Sequence, residues 1–91
     1  MKTINVDWNG LPINFTGIAI YPNGNKFWFV KGKHHRLDGP AIEYSDGSKY
    51  WYIEGKSLTF KQFWARVKDT EYAPQIMAYM LGAKSENDEH R

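Results

Sequence analysis

The chain has 91 residues and no cysteine; 42% of its residues are hydrophobic, and its formal net charge is +2. This length and composition predict one small folded domain rather than a disordered chain. The lack of cysteine excludes disulfides, thiolate metal sites and a cysteine nucleophile. The charge excess is too small to indicate nucleic-acid binding by itself. The opening residues lack the apolar segment of a signal peptide, and no apolar stretch reaches membrane-spanning length, so we expect a cytoplasmic protein without membrane contact.

Apolar residues that alternate with polar ones predict β-strands through the first half of the chain. The alternation covers residues 4–8 and resumes over 11–15, on either side of Asn9-Gly10. Asn-Gly between two such runs is the sequence signal of a hairpin closed by a type I′ turn. Further short runs, separated by Gly, Pro, Asn and Asp, continue to residue 58. Together they predict an antiparallel β-hairpin meander of six or seven short strands.

Two copies of one motif organise these strands. The first copy runs from Tyr21 to Lys33 with the sequence YPNGNKFWFVKGK, and the second runs from Tyr44 to Lys56 with the sequence YSDGSKYWYIEGK. The copies are offset by 23 positions, and most paired residues are identical or chemically alike. A second block repeats at an offset of 22 and pairs Gly10, Gly17 and Ala19 with Gly32, Gly39 and Ala41. The repeat predicts an array of equivalent hairpins.

The hydrophobic period changes at Thr59, where two C-terminal helices are predicted to begin. Residues 59–62 read Thr-Phe-Lys-Gln, a capping box in which the hydroxyl and the amide side chain satisfy free backbone N–H groups. The first helix carries an apolar face made of Phe60, Phe63, Trp64 and Val67. A second helix is predicted to start near Asp69-Thr70, with Pro74 either in its first turn or at a short break, and to end at a Gly82 C-cap.

These elements predict a single α+β domain over residues 1–91. The hairpin array occupies residues 3–58, a helical cap occupies 59–82, and a polar, flexible tail occupies 83–91. Apolar side chains surround much of the last helix: Ile76, Met77, Tyr79, Met80 and Leu81. Core packing explains one side of this helix. The remainder is a candidate surface for self-association, because methionines adapt to irregular contacts.

Strand alternation divides the large side chains of the two copies between two sheet faces. We assign one set to the face covered by the helices: Trp28, Val30, Trp51 and Ile53. The opposite set is a strip of aromatic rings: Phe27, Phe29, Tyr50 and Tyr52. Either other parts of the chain or a second copy cover these rings, or the rings form an exposed surface for a protein, a base or another ring ligand.

The only basic cluster spans the end of the first copy and the residues after it, and it consists of Lys31, Lys33, His34, His35 and Arg36. It has three interpretations: a sheet edge protected by charge, a site for an anionic ligand, and a protein contact. Adjacent strand residues point to opposite sides, so His34 and His35 are not expected to form a metal site. The chain shows no nucleophile–base pair, no paired carboxylates and no phosphate-binding loop, which predicts a protein that is not an enzyme and uses no cofactor.

Residues 35–44, HRLDGPAIEY, and 46–56, DGSKYWYIEGK, resemble the HRxDGPA…DGSKxWYxNGK repeat of small bacteriophage proteins, which is loosely similar to MORN-type β-hairpin repeats. The resemblance covers about residues 17–68, including a helix that commonly closes such arrays. The first copy departs from it, because Thr-Gly-Ile-Ala stands where Asp-Gly-Pro-Ala is expected. The resemblance implies a phage origin and motif residues with structural roles: Asp38 and Asp46 in Asx turns, and Pro40 at the start of a strand.

The leading hypothesis is a non-enzymatic phage accessory protein that binds and modulates a host protein in the host cytoplasm, with defence components as candidate targets. This protein-binding mode uses the strip Phe27, Phe29, Tyr50 and Tyr52 together with the basic cluster. A second hypothesis is a binder of a nucleotide or single-stranded nucleic acid, which uses the same rings with Lys31, Lys33 and Arg36. A third is a structural or oligomerising phage component that associates through the last helix.

Overall fold

A seven-stranded sheet followed by two helices forms the fold in the computed structural model, which describes residues 2–6 and 10–89. The strands are β1 (Thr3–Asn5), β2 (Gly17–Ile20), β3 (Lys26–Val30), β4 (Lys33–His34), β5 (Ile42–Glu43), β6 (Lys49–Ile53) and β7 (Lys56–Leu58). The helices are α1 (Phe60–Val67) and α2 (Ala73–Glu89). The predicted α+β class is confirmed. No helix among the described residues is long and apolar enough to cross a membrane.

The sheet is antiparallel except at its first pair of strands. Its order is β1-β2-β3-β5-β6-β7, and β4 also pairs with β3. β1 runs parallel to β2, with Thr3 opposite Ile18 and Asn5 opposite Ile20. The Val6 N–H extends this pairing by donating to the Ile20 carbonyl at 2.8 Å. The first strand therefore departs from the predicted meander, and the remaining strands follow it.

The hairpin predicted around Asn9-Gly10 is wrong. Residues 11–15 form no strand, because a turn leaves Ile13 exposed while Phe15 is buried in the core. An Asn-Gly turn closes a hairpin only when its two flanking runs pair with each other, and here β1 pairs with β2 instead. Trp8 and Asn9, which belong to this prediction, lie outside the described residues.

The sequence repeat is also a repeat of backbone geometry. In the first copy, Asn23 Oδ1 accepts the Asn25 N–H at 3.0 Å. In the second copy, Asp46 Oδ1 accepts the Ser48 N–H at 2.8 Å, so the Asx turn predicted at Asp46 is confirmed. The Ser48 N–H stabilises the carboxylate form and holds the pKa of Asp46 below its usual range.

The turns that close the two hairpins are equivalent as well. Lys31 and Gly32 join β3 to β4 with φ values of 49° and 80°. Glu54 and Gly55 join β6 to β7 with φ values of 49° and 81°. Positive φ at both central positions is the requirement of a type I′ turn. The two copies thus build the same hairpin.

The HRLDGPA motif, residues 35–41, lies between two short strands that pair with the same edge of β3. These strands are β4 and β5, and together they form one strand interrupted by the motif. β4 also reaches the second hairpin, because the His34 carbonyl accepts the Gly55 N–H at 2.8 Å and the Arg36 N–H donates to the Tyr52 carbonyl at 3.2 Å. The interrupted strand therefore joins the two hairpins into one sheet.

The capping box of α1 ends the array. As predicted, Gln62 Oε1 accepts the Thr59 N–H at 2.9 Å, and Thr59 Oγ1 accepts the Gln62 N–H at 3.1 Å. Thr59 stands 23 positions after Arg36, whose N–H holds the following hairpin. Thr59 is therefore the repeat equivalent of Arg36, but its N–H donates to the Gln62 side chain and not to the carbonyl of a further strand. The helix cap thus takes the hydrogen bond that a third hairpin would otherwise form.

The helices cover the second-copy half of one sheet face. The Trp51 ring lies 5.0 Å from the ring of Phe60, 4.7 Å from that of Phe63 and 5.9 Å from that of Tyr79. Ile53 packs against the same cluster. The predicted positions of Trp51 and Ile53 beneath the helices are therefore confirmed.

The first-copy equivalents of these two residues are covered differently. Trp28 is buried, but the guanidinium of Arg36 lies over its indole at 3.9 Å, and Trp28 is not part of the cluster that packs against the helices. Val30 is likewise outside that cluster. The prediction that the helices cover all four residues is thus wrong for the first copy, because the helices follow directly after β7 and pack on the strands nearest to it.

α2 is longer than predicted. It begins at Ala73, after a turn in which Thr70 Oγ1 accepts the Tyr72 N–H at 3.1 Å, and Pro74 lies in its first turn. It continues through Gly82 to Glu89, so the predicted C-cap at Gly82 is wrong. One glycine inside a helix costs only about 1 kcal/mol relative to alanine, and the Ala, Lys and Glu residues that follow favour helix. Residues 90 and 91 of the predicted tail lie outside the described residues.

Candidate binding face

The predicted strip of rings lies together on the sheet face opposite the helices. The strand register places Phe27 opposite Ala19 on β2 and opposite Ile42 on β5, and it places Ile42 opposite Tyr50 on β6. Three further tyrosine and phenylalanine rings and one imidazole join the strip. We call the whole set the aromatic face: Phe15, Tyr21, Phe27, Phe29, His34, Tyr44, Tyr50 and Tyr52.

Ring contacts cross the aromatic face in two lines. In one line, the centroid of the Phe29 ring lies 6.2 Å from that of Phe15 and 4.6 Å from that of His34. The His34 and Tyr52 ring centroids are 5.2 Å apart. The other line joins ring centroids of neighbouring residues at 5.1 to 6.0 Å, in the order Tyr21, Phe27, Tyr44 and Tyr50. Most of these pairs are edge-to-face or tilted, the arrangements that aromatic quadrupoles favour.

Exposure increases across the face from the first copy to the second. Phe15 is buried, and Phe27 and Phe29 are half-buried against the cluster it belongs to. Tyr44 is 36% exposed and Tyr50 is 47% exposed. Each sequence-based interpretation therefore holds for one part of the strip: the segment that carries Phe15 covers the phenylalanines, and Tyr50 faces solvent together with its neighbour Tyr44, whereas Tyr52 is half-buried beside His34.

His34 lies at the centre of the aromatic face without a polar partner. Its Nδ1 atom is buried and makes no hydrogen bond to any described residue. Its ring contacts Phe27, Phe29 and Tyr52, so its surroundings solvate a charge poorly. This burial lowers the pKa of His34 from its ordinary value of 6.5.

The lowered pKa makes the fold sensitive to acid. The folded state favours neutral His34, so its contribution to the free energy of unfolding is fully present above pH 6.5 and is lost as the pH falls through the folded-state pKa. We expect His34→Phe to flatten the fall in stability between pH 7 and pH 5, measured by urea unfolding at several pH values. An NMR titration of wild-type His34 with a midpoint at or above 6.5 would contradict this prediction.

The basic cluster does not gather beside the rings. His34 is on the aromatic face, but Lys33 and His35 alternate with it and point to the other side. His35 Nδ1 accepts the Glu54 N–H at 2.9 Å, and Lys31 stands in the turn between β3 and β4. The second hypothesis needs basic side chains and rings in one site, and the structure separates them.

Arg36 is also on the side opposite the aromatic face, over Trp28. Its Nε donates to Asp38 Oδ1 at 2.8 Å, and its Nη1 donates to the Pro40 carbonyl and to Glu43 Oε2, each at 3.1 Å. The Asx turn predicted at Asp38 is therefore wrong: the Asp38 carboxylate binds the guanidinium, a stronger donor than a backbone N–H because it is charged.

Sequence reasoning missed four members of the face: Phe15, Tyr21, Tyr44 and the ring role of His34. Tyr21 and Tyr44 open the two copies of the motif at equivalent positions, and that equivalence was an available signal. Phe15 was assigned to a strand that does not form, so no signal placed it there. Among the side chains that the structure describes, no group of three or more His, Asp or Glu is arranged to hold a metal ion.

No protein-family model, curated protein or solved structure matches this chain.

Proposed function

We propose that this protein is a non-enzymatic binding protein that captures a partner protein on the aromatic face. The exposed tyrosines Tyr44 and Tyr50 carry the proposal, because they extend a ring network that is anchored in the core. Tyrosine is enriched at protein interfaces, since its ring buries a large apolar area while its hydroxyl tolerates water.

The packing of these rings supports tight capture. The centroid of the Tyr44 ring lies 6.0 Å from that of Phe27 and 5.5 Å from that of Tyr50, so the ring is held in place before any partner binds. Side chains that are ordered in advance lose less conformational entropy on binding. The face includes no carboxylate and no nucleophile–base pair, which favours recognition over catalysis.

The biological setting of the proposal rests on the resemblance to small bacteriophage proteins. It makes the protein a phage accessory factor that acts in the host cytoplasm on a host protein, with a defence component as the candidate target. The resemblance bears on the origin of the chain, whereas the aromatic face bears on how it binds. These two parts of the proposal can therefore fail separately.

Affinity capture from a bacterial host extract tests the binding mode. We expect wild-type protein to retain a stoichiometric host protein and Tyr44→Ser/Tyr50→Ser to lose it by at least about tenfold, because central tyrosines at an interface each contribute roughly 1–2 kcal/mol or more. Capture should survive nuclease treatment and change little between low and moderate salt. Thermal unfolding of each bait shows whether the fold is retained.

The matched control is Met77→Ser/Leu81→Ser on α2, which also replaces two exposed apolar side chains. It should keep the partner. Loss of capture by this control and not by the tyrosine variant would contradict the proposal and favour association through α2. Capture of nucleic acid that weakens steeply with salt would favour the second hypothesis instead.

A further inference from the structure

A cleft of about 430 Å³ lies on the sheet side opposite the aromatic face, beside the loop that joins the two helices. Its lining residues are Ile18, Trp28, His35, Arg36, Leu37, Asp38 and Tyr72. The volume is within the range of roughly 300–1,000 Å³ that is typical of small-molecule sites. The lining combines apolar walls with a few polar groups, which is also typical of such sites.

The polar part of the cleft is held rigidly. The Arg36 side chain is only 14% exposed, lies over Trp28 and is bound to two carboxylates and a carbonyl. These bonds use Nε and Nη1. The Nη2 amino group, with two of the five guanidinium N–H donors, makes no hydrogen bond to any described residue.

The neighbouring Asp38 offers the complementary group. Its Oδ1 accepts from Arg36 at 2.8 Å, whereas Oδ2 accepts from no described residue, and the side chain is 47% exposed. Arg36 and Asp38 both line the cleft, and each keeps one polar atom that makes no hydrogen bond to any described residue. Arg36 is already paired with Asp38 and Glu43, so the site has no net positive charge to attract a phosphate.

We propose that this cleft binds a neutral heterocycle of the nucleobase type, in which a ring carbonyl or nitrogen acceptor stands beside an N–H donor. The acceptor binds Arg36 Nη2, the N–H donates to Asp38 Oδ2, and the ring packs among Leu37, Tyr72 and Ile18. The recognition is of the base and not of a phosphate, which distinguishes this site from nucleotide binding by rings and lysines.

NMR titration of the full chain with uridine and with 3-methyluridine tests the proposal, because the methyl group removes only the N–H donor. We expect uridine to shift the backbone amide signals of residues 36–38 and 72, with a Kd on the order of 1 mM, as for a ligand with few atoms. 3-Methyluridine should bind about tenfold more weakly. Uridine 5′-monophosphate should bind no more tightly than uridine.

Asp38→Asn replaces one carboxylate oxygen with an amide and should weaken uridine binding about tenfold, while Oδ1 still accepts from Arg36. Asp46→Asn removes the same charge from an exposed turn and should leave binding unchanged. Equal binding of uridine and 3-methyluridine, unchanged binding by Asp38→Asn, or no shifts up to roughly ten times that Kd would overturn the proposal. None of these outcomes bears on capture by the aromatic face, since Asp38 is on the other side of the sheet.

Discussion

Phe63→Ala is expected to destabilise the fold by about 3–5 kcal/mol, the usual cost of replacing a buried phenylalanine with alanine. Phe63 is fully buried, packs with Val67 and Ile76, and lies 4.7 Å from the Trp51 ring. Its loss leaves a cavity between the helices and the sheet that neither side can fill without moving. Because a small domain has roughly 5–15 kcal/mol of total stability, this one change removes a large share of it.

Urea unfolding followed by circular dichroism measures this effect, with Lys61→Ala as the control. Lys61 lies on the same helix but is exposed, so its replacement should change the free energy of unfolding by less than about 0.5 kcal/mol. A Phe63→Ala cost below about 1 kcal/mol would contradict the packing of the helices on the Trp51 side of the sheet.

Gly17→Ala is expected to cost about 3 kcal/mol, from strained backbone and overpacking together. Gly17 has a φ of 148°, a backbone conformation that residues other than glycine rarely adopt. A Cβ there would collide with the backbone carbonyl of Lys2 and come within 2.8 Å of the Phe15 ring. The Ile18 N–H donates to the same carbonyl at 2.7 Å, so moving Lys2 breaks the pairing of β1 with β2.

Gly39→Ala is the matched comparison, because Gly39 is the repeat equivalent of Gly17. A Cβ there would come within 2.6 Å of the Arg36 guanidinium carbon. A side chain can move where a backbone cannot, so we expect a smaller cost of about 1–2 kcal/mol, from the loss of partly exposed ion pairs and of the contact with Trp28.

Denaturant unfolding of both variants, with NMR of the Arg36 side-chain N–H, distinguishes the two causes. Gly39→Ala should shift or broaden the Arg36 Nε–H signal, and Gly17→Ala should leave it in place. A larger cost for Gly39→Ala than for Gly17→Ala would show that the close approach to Lys2 is not what requires glycine at position 17.

Local features of this protein follow from its sequence alone. The Asx turn at Asp46 and the capping box at Thr59 and Gln62 formed as predicted. Each depends on residues within four positions of one another, so the chemistry that selects it is contiguous in the chain. The alternation that placed Trp51 beneath the helices is local in the same way.

Features that depend on distant partners were decided only by the tertiary structure. The Asn9-Gly10 hairpin did not form because β1 pairs with β2. Arg36 lies on the face opposite the predicted binding site, because its guanidinium packs over Trp28 on a different strand. Which rings of the aromatic face are buried depends on Phe15, which reaches them from a segment with no regular strand. In each case two outcomes satisfy the same local pattern, and the choice between them comes from contacts with other strands and loops of the fold.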